Sequence, residues 1–151
     1  MSKEIPKFKF KMRDKVVESD LDIILDVDTS DPNDIANRLF ELPSNYAYWG
    51  MIWDWSVSIH DKLELEYDLW WSDLYEQAKA DLREKYTKAE ITESLVKATI
   101  INGNKEEYTN RRKALMEAKY RCGVLKKVEK ILTFTKDSWG YGLSWRKAEI
   151  K

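Results

Sequence analysis

One cysteine and one histidine in 151 residues leave almost nothing from which to build a disulfide, a zinc site or a thiol- or imidazole-based catalytic pair. Cys122 has no second cysteine to bond, and His60 has no second histidine with which to share a metal. Glycine and proline are also scarce, five and three residues. They form neither a phosphate-cradling loop nor the strained turn that presents a nucleophilic serine. No apolar run nears the roughly 20 residues of a membrane span. The opening residues lack the charged, apolar and small-residue succession of a secretory leader. The expectation is a soluble, cytoplasmic chain that needs no metal or cofactor, touches no membrane and carries no catalytic site.

Three local features test that expectation. Asp26, Asp28 and Ser30 imitate the opening of a calcium loop, but Asp31 stands where its glycine belongs and Asn37 where its closing glutamate belongs. A cap-and-turn role fits better. Cys122 lies between Ala118 and Leu125 on an apolar seam, where a small thiol packs as core. His60, beside Asp61 on a long helical stretch, reads as a surface or interface residue rather than a base.

What the chain does have is apolar material and charge: 43 % of residues are hydrophobic and 35 % charged. That supports one folded domain with a heavily charged exterior. The net charge of −1 conceals strong segregation. Residues 1–13 carry Lys3, Lys7, Lys9, Lys11 and Arg13 against Glu4; residues 14–76 set three basic residues against sixteen acids; residues 105–151 set thirteen against six. Such halves either pair across a fold or subunit interface, or one of them meets a charged ligand.

Along the chain, residues 1–20 read as a basic arm. Its alternation Lys7-Phe8-Lys9-Phe10-Lys11 extends as an edge strand at most, with no turn signal to close a hairpin. Residues 21–151 form a single helical domain. Ile23-Ile24-Leu25 among aspartates suggests a short extended segment. Asp31 and Pro32 open a short helix as N-cap and first turn, with Ile35, Leu39 and Leu42 on its face and Pro43 as its stop. Ser44 then caps a long amphipathic helix. Ile52, Trp55, Ile59, Leu63, Tyr67, Trp70, Leu74, Ala78 and Leu82 recur on it at steps of three or four. Thr87 with Glu90 has capping-box spacing for a further helix, which Asn102-Gly103-Asn104 interrupts. Asn104 with Glu107 repeats the pattern and opens a second long helix. Leu115, Ala118, Cys122, Leu125, Val128 and Leu132 form its seam as far as about Thr133. Ser138 to Gly142 reads as a turn, followed by a short tail with Trp145, Arg146 and Lys147. The fold class is mainly α: two long amphipathic helices, shorter helices and an extended N-terminal segment. The apolar stripes exceed what one hairpin of helices needs to bury, so an oligomeric assembly is expected.

Cations interleaved with aromatic rings suit single-stranded nucleic acid, whose phosphates take the charge and whose bases stack on rings. Lys79, Arg83, Lys85 and Lys88 follow Trp70, Trp71 and Tyr75 on the first long helix, and Arg111 and Arg112 begin a basic run on the second. A solvated charged face with Trp70 in the core is the plain alternative. Trp71 and Trp139 are harder to absorb into it.

The order of these features resembles the UvsY family, the recombination mediators of T4-like phages. The likeness covers most of the chain after Leu21, by pattern more than identity. An acidic extended stretch from Leu25 to Asp28 precedes a short helix. Tyr46, Tyr48 and Trp49 open a long helix, which Lys79-Ala80-Asp81-Leu82 closes. A lysine-rich seam ends in Ser138-x-Gly140. The resemblance implies a homo-oligomer, in the family a ring, that binds single-stranded DNA and helps load a phage recombinase onto strands covered by single-strand-binding protein. It also implies a DNA-binding role for Lys79. Asp81 departs from the family pattern, standing where the family has an arginine, and Arg83 and Lys85 lie close by at no matched position. The expected strand-binding residues are therefore Lys79, Arg83, Lys85, Lys88, Trp71, Arg111 and Arg112. The competing expectation is a helical structural or scaffold-like phage protein whose acidic and basic halves pair between subunits. A magnesium-dependent nuclease built on the acids of residues 14–76 is a third.

Overall fold

The computed structural model describes residues 7–149; Lys3 and Glu4 of the basic arm lie outside the described residues. These residues form two strands and four helices, two of them long, so the chain is mainly helical. They fall into two compact units, Met1–Ser56 with Arg121–Lys151, and Val57–Tyr120.

In the first unit, β1 (Lys9–Met12) and β2 (Lys15–Glu18) form an antiparallel hairpin that pairs Lys9 with Glu18 and Met12 with Lys15. The alternation seen in the sequence is real: Phe8, Phe10 and Met12 point inward while Lys9 and Lys11 are exposed. The hairpin itself corrects the reading of an unpaired arm. Its two-residue connection, Arg13-Asp14, holds Arg13 at φ 55°. That left-handed conformation is usually supplied by Gly or Asn, so no turn signal was visible. Phe8 stacks on Phe10 with centroids 5.3 Å apart and meets Trp49 edge-on at 5.7 Å. Trp49 is only 1 % exposed.

A one-turn helix, α1 (Leu21–Ile24), replaces the extended segment expected there. Leu21 and Ile24 are both buried, and a spacing of three puts them on one side of a helical turn but on opposite faces of a strand. Asp28 and Asp31 then do the capping work. The Asp28 carboxylate accepts from the Ser30 backbone and hydroxyl, and Asp31 Oδ1 accepts from the Asn33 amide at 2.9 Å. Asp34 Oδ2 takes the Asp28 amide at 2.8 Å. The Ser30 hydrogen bonds hold the Asp28 carboxyl below its ordinary value.

The largest correction concerns α2 (Pro32–Arg83), a single 52-residue helix that runs straight through Pro43. Proline in a helix interior removes one hydrogen bond and crowds the preceding turn, at about 3 kcal/mol. Pro43 itself is exposed. Burial of Ile35 and Leu42 before it and of Trp49 and Ile52 after it holds both halves in register.

Helix α4 (Lys105–Glu149) likewise continues past Thr133 and through Gly140 and Gly142 to a length of 45 residues. Two glycines weaken a helix without ending it. Arg146 anchors the far end by donating to the backbone carbonyls of Thr29 and Ser30. Leu125, Val128 and Leu132 of the expected seam are buried in this unit, and Tyr46 of α2 donates to Glu129 of α4 at 3.0 Å.

The second unit contains the remainder of α2, α3 (Glu93–Gly103) and the start of α4. Its core joins Ala78 and Leu82 of α2 to Val96 and Ile100 of α3. Thr92, not Thr87, caps α3, its hydroxyl accepting from the Leu95 amide at 3.2 Å. Thr87 and Glu90 do interact, the Thr87 amide donating to the Glu90 carboxylate at 2.9 Å, but they close a turn between helices. Asn104 separates α3 from α4 as expected, yet its amide donates back to the Ile100 carbonyl at 3.0 Å. Glu107 is left to pair with Arg111.

Candidate nucleic-acid interface

The spacing of α2 places Tyr67, Trp70, Trp71, Leu74 and Tyr75 along one broad side of the helix, since residues three and four apart are neighbours there. All five are half-buried. Trp71, Leu74 and Tyr75 pack against the Ala78, Leu82, Val96 and Ile100 core. Trp71 lies nearly parallel to Tyr67 at 6.1 Å and meets Tyr108 of α4 at 6.1 Å. Trp70 is likewise part of this set, 5.7 Å from Tyr67.

Two of the expected strand-binding cations are drawn into the same cluster. The Arg111 guanidinium sits 4.9 Å from the Trp70 ring centroid while Nε and Nη2 donate to Glu107 at 3.1 and 3.0 Å. The Arg112 guanidinium lies 5.9 Å from the Tyr67 ring. Burial raises the Tyr67 phenol above its ordinary value of 10.0, with Arg112 opposing the shift. Lys79, half-buried, places its ammonium 4.9 Å over Tyr75. Trp71, Arg111, Arg112 and Lys79 thus already have aromatic or ionic neighbours within the unit, and cation–π contacts of this kind are worth about 0.5–1 kcal/mol at exposed sites.

Arg83, Lys85 and Lys88 are different. They stand at and just beyond the end of α2, where the amides of Lys85 and Tyr86 both bond the Leu82 carbonyl. All three are exposed, and among the described residues none makes an ion pair. By contrast Lys62, Lys97 and Arg111 in this unit are paired with Glu66, Glu93 and Glu107. Tyr86, between Lys85 and Lys88, has an exposed ring. Asp81 and Glu84 moderate the local charge, while Glu90 is engaged by the Thr87 amide. The result is a small cationic corner with one available ring. Sequence reasoning found its cations and missed Tyr86.

Other groups on the chain offer less. Cys122 is half-buried on its seam. His60, Asp61 and Glu64 bring three possible donor atoms within 4.8 Å on α2, but both carboxylates are exposed and such groupings occur on many charged helices. Trp139 is half-buried. An apolar groove of about 400 Å³ lies between α2 and α4 of the first unit, lined by Leu39, Leu42, Pro43, Ala47 and Leu132 with Lys136 at its edge. No helix among the described residues is long and apolar enough to cross a membrane.

The structure also exposes rings that the sequence reading set aside. Because α4 continues through Gly140 and Gly142, Phe134, Tyr141 and Trp145 share one helical face, and they are 74 %, 74 % and 67 % exposed. Their spacing of seven and four residues was visible in the sequence. Ending the helix at Thr133 hid it. No protein family, curated protein or solved structure matches this chain.

Proposed function

We propose that this chain binds single-stranded DNA without catalysing a reaction on it, and that it acts as a recombination mediator of the UvsY kind. In that role it assembles with further copies of itself and helps a recombinase displace single-strand-binding protein. The observation that carries the reading is the cationic corner at the end of α2. Arg83, Lys85 and Lys88 are exposed and make no ion pair among the described residues, beside the open ring of Tyr86. Free cations release the counterions of phosphates on binding, and an exposed ring gives a base a face to stack on. Lys79 is the position that the family resemblance favours, but its ammonium already faces Tyr75, which makes it the weaker contributor.

The test is the salt dependence of binding to a labelled oligonucleotide. Replacing Arg83, Lys85 and Lys88 together with alanine should flatten the slope of log affinity against log salt by about 2, at about 0.7 per lost phosphate contact. Exposed positions tolerate alanine, so folding should survive. A triple variant that binds with the parent's affinity and slope removes this corner as the strand site. A parent that binds no oligonucleotide at low salt removes the function and leaves the structural, scaffold-like reading in its place. Mass measurement in solution tests the assembly: a stable monomer at micromolar concentration contradicts it.

A further inference from the structure

The face of α4 from Lys126 to Trp145 has no part in the cationic corner, and all of it lies in the first unit. Phe134, Tyr141 and Trp145 recur at i, i+7 and i+11, close to whole turns of a 3.6-residue helix. They therefore form one row about 16 Å long at 1.5 Å per residue. The opposite side of the same helix carries buried Leu125, Val128 and Leu132, so the row faces solvent. Three aromatic rings left open along one helix need a partner, because single exposed apolar residues are ordinary but an aligned row is not.

The charge beside the row says what kind of partner. Lys127 and Lys130 lie two turns and one turn before Phe134 on the same face, with Lys126 flanking them, and all three are exposed. None of the three makes an ion pair among the described residues. Of the nearby acids, Asp137 is matched by Lys136 at 3.9 Å and Glu129 accepts from Tyr46. Free cations followed by a row of π-faces, with no aliphatic residue among the exposed large side chains of this segment, complement a strand that offers phosphates and unpaired bases. Rings of this kind also serve membrane and protein interfaces, and the vesicle and mass arms of the experiment below separate those occupants from a strand.

We infer that this face of α4 is a stacking platform for single-stranded nucleic acid. Bases lie on Phe134, Tyr141 and Trp145, and the backbone is held by Lys127 and Lys130 with Lys126 beside them. The platform extends the strand-binding reading to a second surface in the other unit and stands on residues independent of Arg83, Lys85 and Lys88.

The experiment uses the full chain and a labelled oligothymidylate. Substituting the three rings by leucine keeps apolar bulk and removes the π-faces. Each ring lost should weaken binding by about 5-fold or more, with the salt slope unchanged. Lys127→Ala with Lys130→Ala should instead flatten the slope by about 0.7 per residue. Tryptophan fluorescence gives a direct readout: oligothymidylate should quench the parent, and Trp145→Phe should remove most of that quench. The Arg83, Lys85 and Lys88 triple-alanine variant should retain the Trp145 quench once the strand is saturating, even where its affinity falls. A triple-leucine variant that binds oligothymidylate like the parent overturns the platform, whatever the corner variant does. So does one whose only loss is binding to phosphatidylcholine–phosphatidylglycerol vesicles, or whose only change is its mass in solution. A parent that binds no strand overturns both surfaces together.

Discussion

Replacing Trp71 by alanine separates packing from strand binding at the residue where the two readings meet. A fully packed tryptophan costs about 3–5 kcal/mol when cut to alanine. Trp71 is half-buried, packed on one side against the Ala78, Leu82, Val96 and Ile100 core and flanked by Tyr67 and Tyr108. About half the core penalty, roughly 2 kcal/mol, is therefore expected. For a chain of this size that is a fall of about 4–8 °C in the thermal midpoint. Trp71→Phe keeps a ring against Tyr67 and should recover about half of the loss. Circular dichroism melts and urea titrations read the stability, and oligonucleotide anisotropy, taken well below the melting transition, reads the affinity. The packing argument requires a lower midpoint with affinity for the strand within about 2-fold of the parent, a difference of roughly 0.4 kcal/mol. A variant that melts like the parent and binds 10-fold more weakly refutes it and returns Trp71 to the strand-binding set.

Three further outcomes follow from the geometry. Pro43→Ala restores the missing interior hydrogen bond of α2 at an exposed position and should stabilise the protein by about 1–3 kcal/mol; a lower urea midpoint would show that the ring is needed by the adjoining groove. Gly140→Ala and Gly142→Ala introduce a Cβ that meets nothing within 4 Å, so each should add about 0.5–1 kcal/mol. Loss of stability in either would mean that the helix does not persist there. Tyr67 has its folded-state value raised above 10.0 by burial, so the folded protein prefers the neutral phenol. The resulting contribution is complete below pH 10.0 and is lost as pH climbs through the folded value. Tyr67→Phe should therefore show less alkaline destabilisation than the parent in denaturation midpoints taken on both sides of that pH, and an equal loss in both proteins contradicts the assignment.

Helical periodicity was legible wherever a long stripe was continuous. Every residue of the Ile52 to Leu82 stripe is buried or half-buried, as is every residue of the Leu115 to Leu132 seam. Boundaries were misread wherever a local signal and tertiary packing disagreed. Pro43 reads as a stop and is a step within α2, because apolar anchors on both sides outweigh one lost hydrogen bond. Gly140 and Gly142 read as a turn, but glycine weakens a helix without ending it, and that error concealed the Phe134, Tyr141 and Trp145 row. The hairpin was invisible because Arg13 adopts a conformation that its residue type does not advertise. At the candidate site the sequence supplied the cations but not their neighbours. Only the fold distinguishes Arg111, which rests on Trp70 and Glu107, from Arg83, which has neither.

The discontinuity of the first unit imposes an order on synthesis. Val57–Tyr120 is one uninterrupted stretch, so everything its core needs has been made once Tyr120 is added. Met1–Ser56 must wait for Arg121–Lys151. Arg146 reaches carbonyls 116 and 117 residues earlier in the chain, a closure that no product ending before Arg146 can make. While the residues after Tyr120 are still being added, the hairpin and Ile35, Leu42, Trp49 and Ile52 lack the rest of their unit, which includes the buried Leu125, Val128 and Leu132. Nascent chains halted after Tyr120 should therefore protect the later half of α2 from proteolysis and leave the earlier half open to cleavage, or to a chaperone.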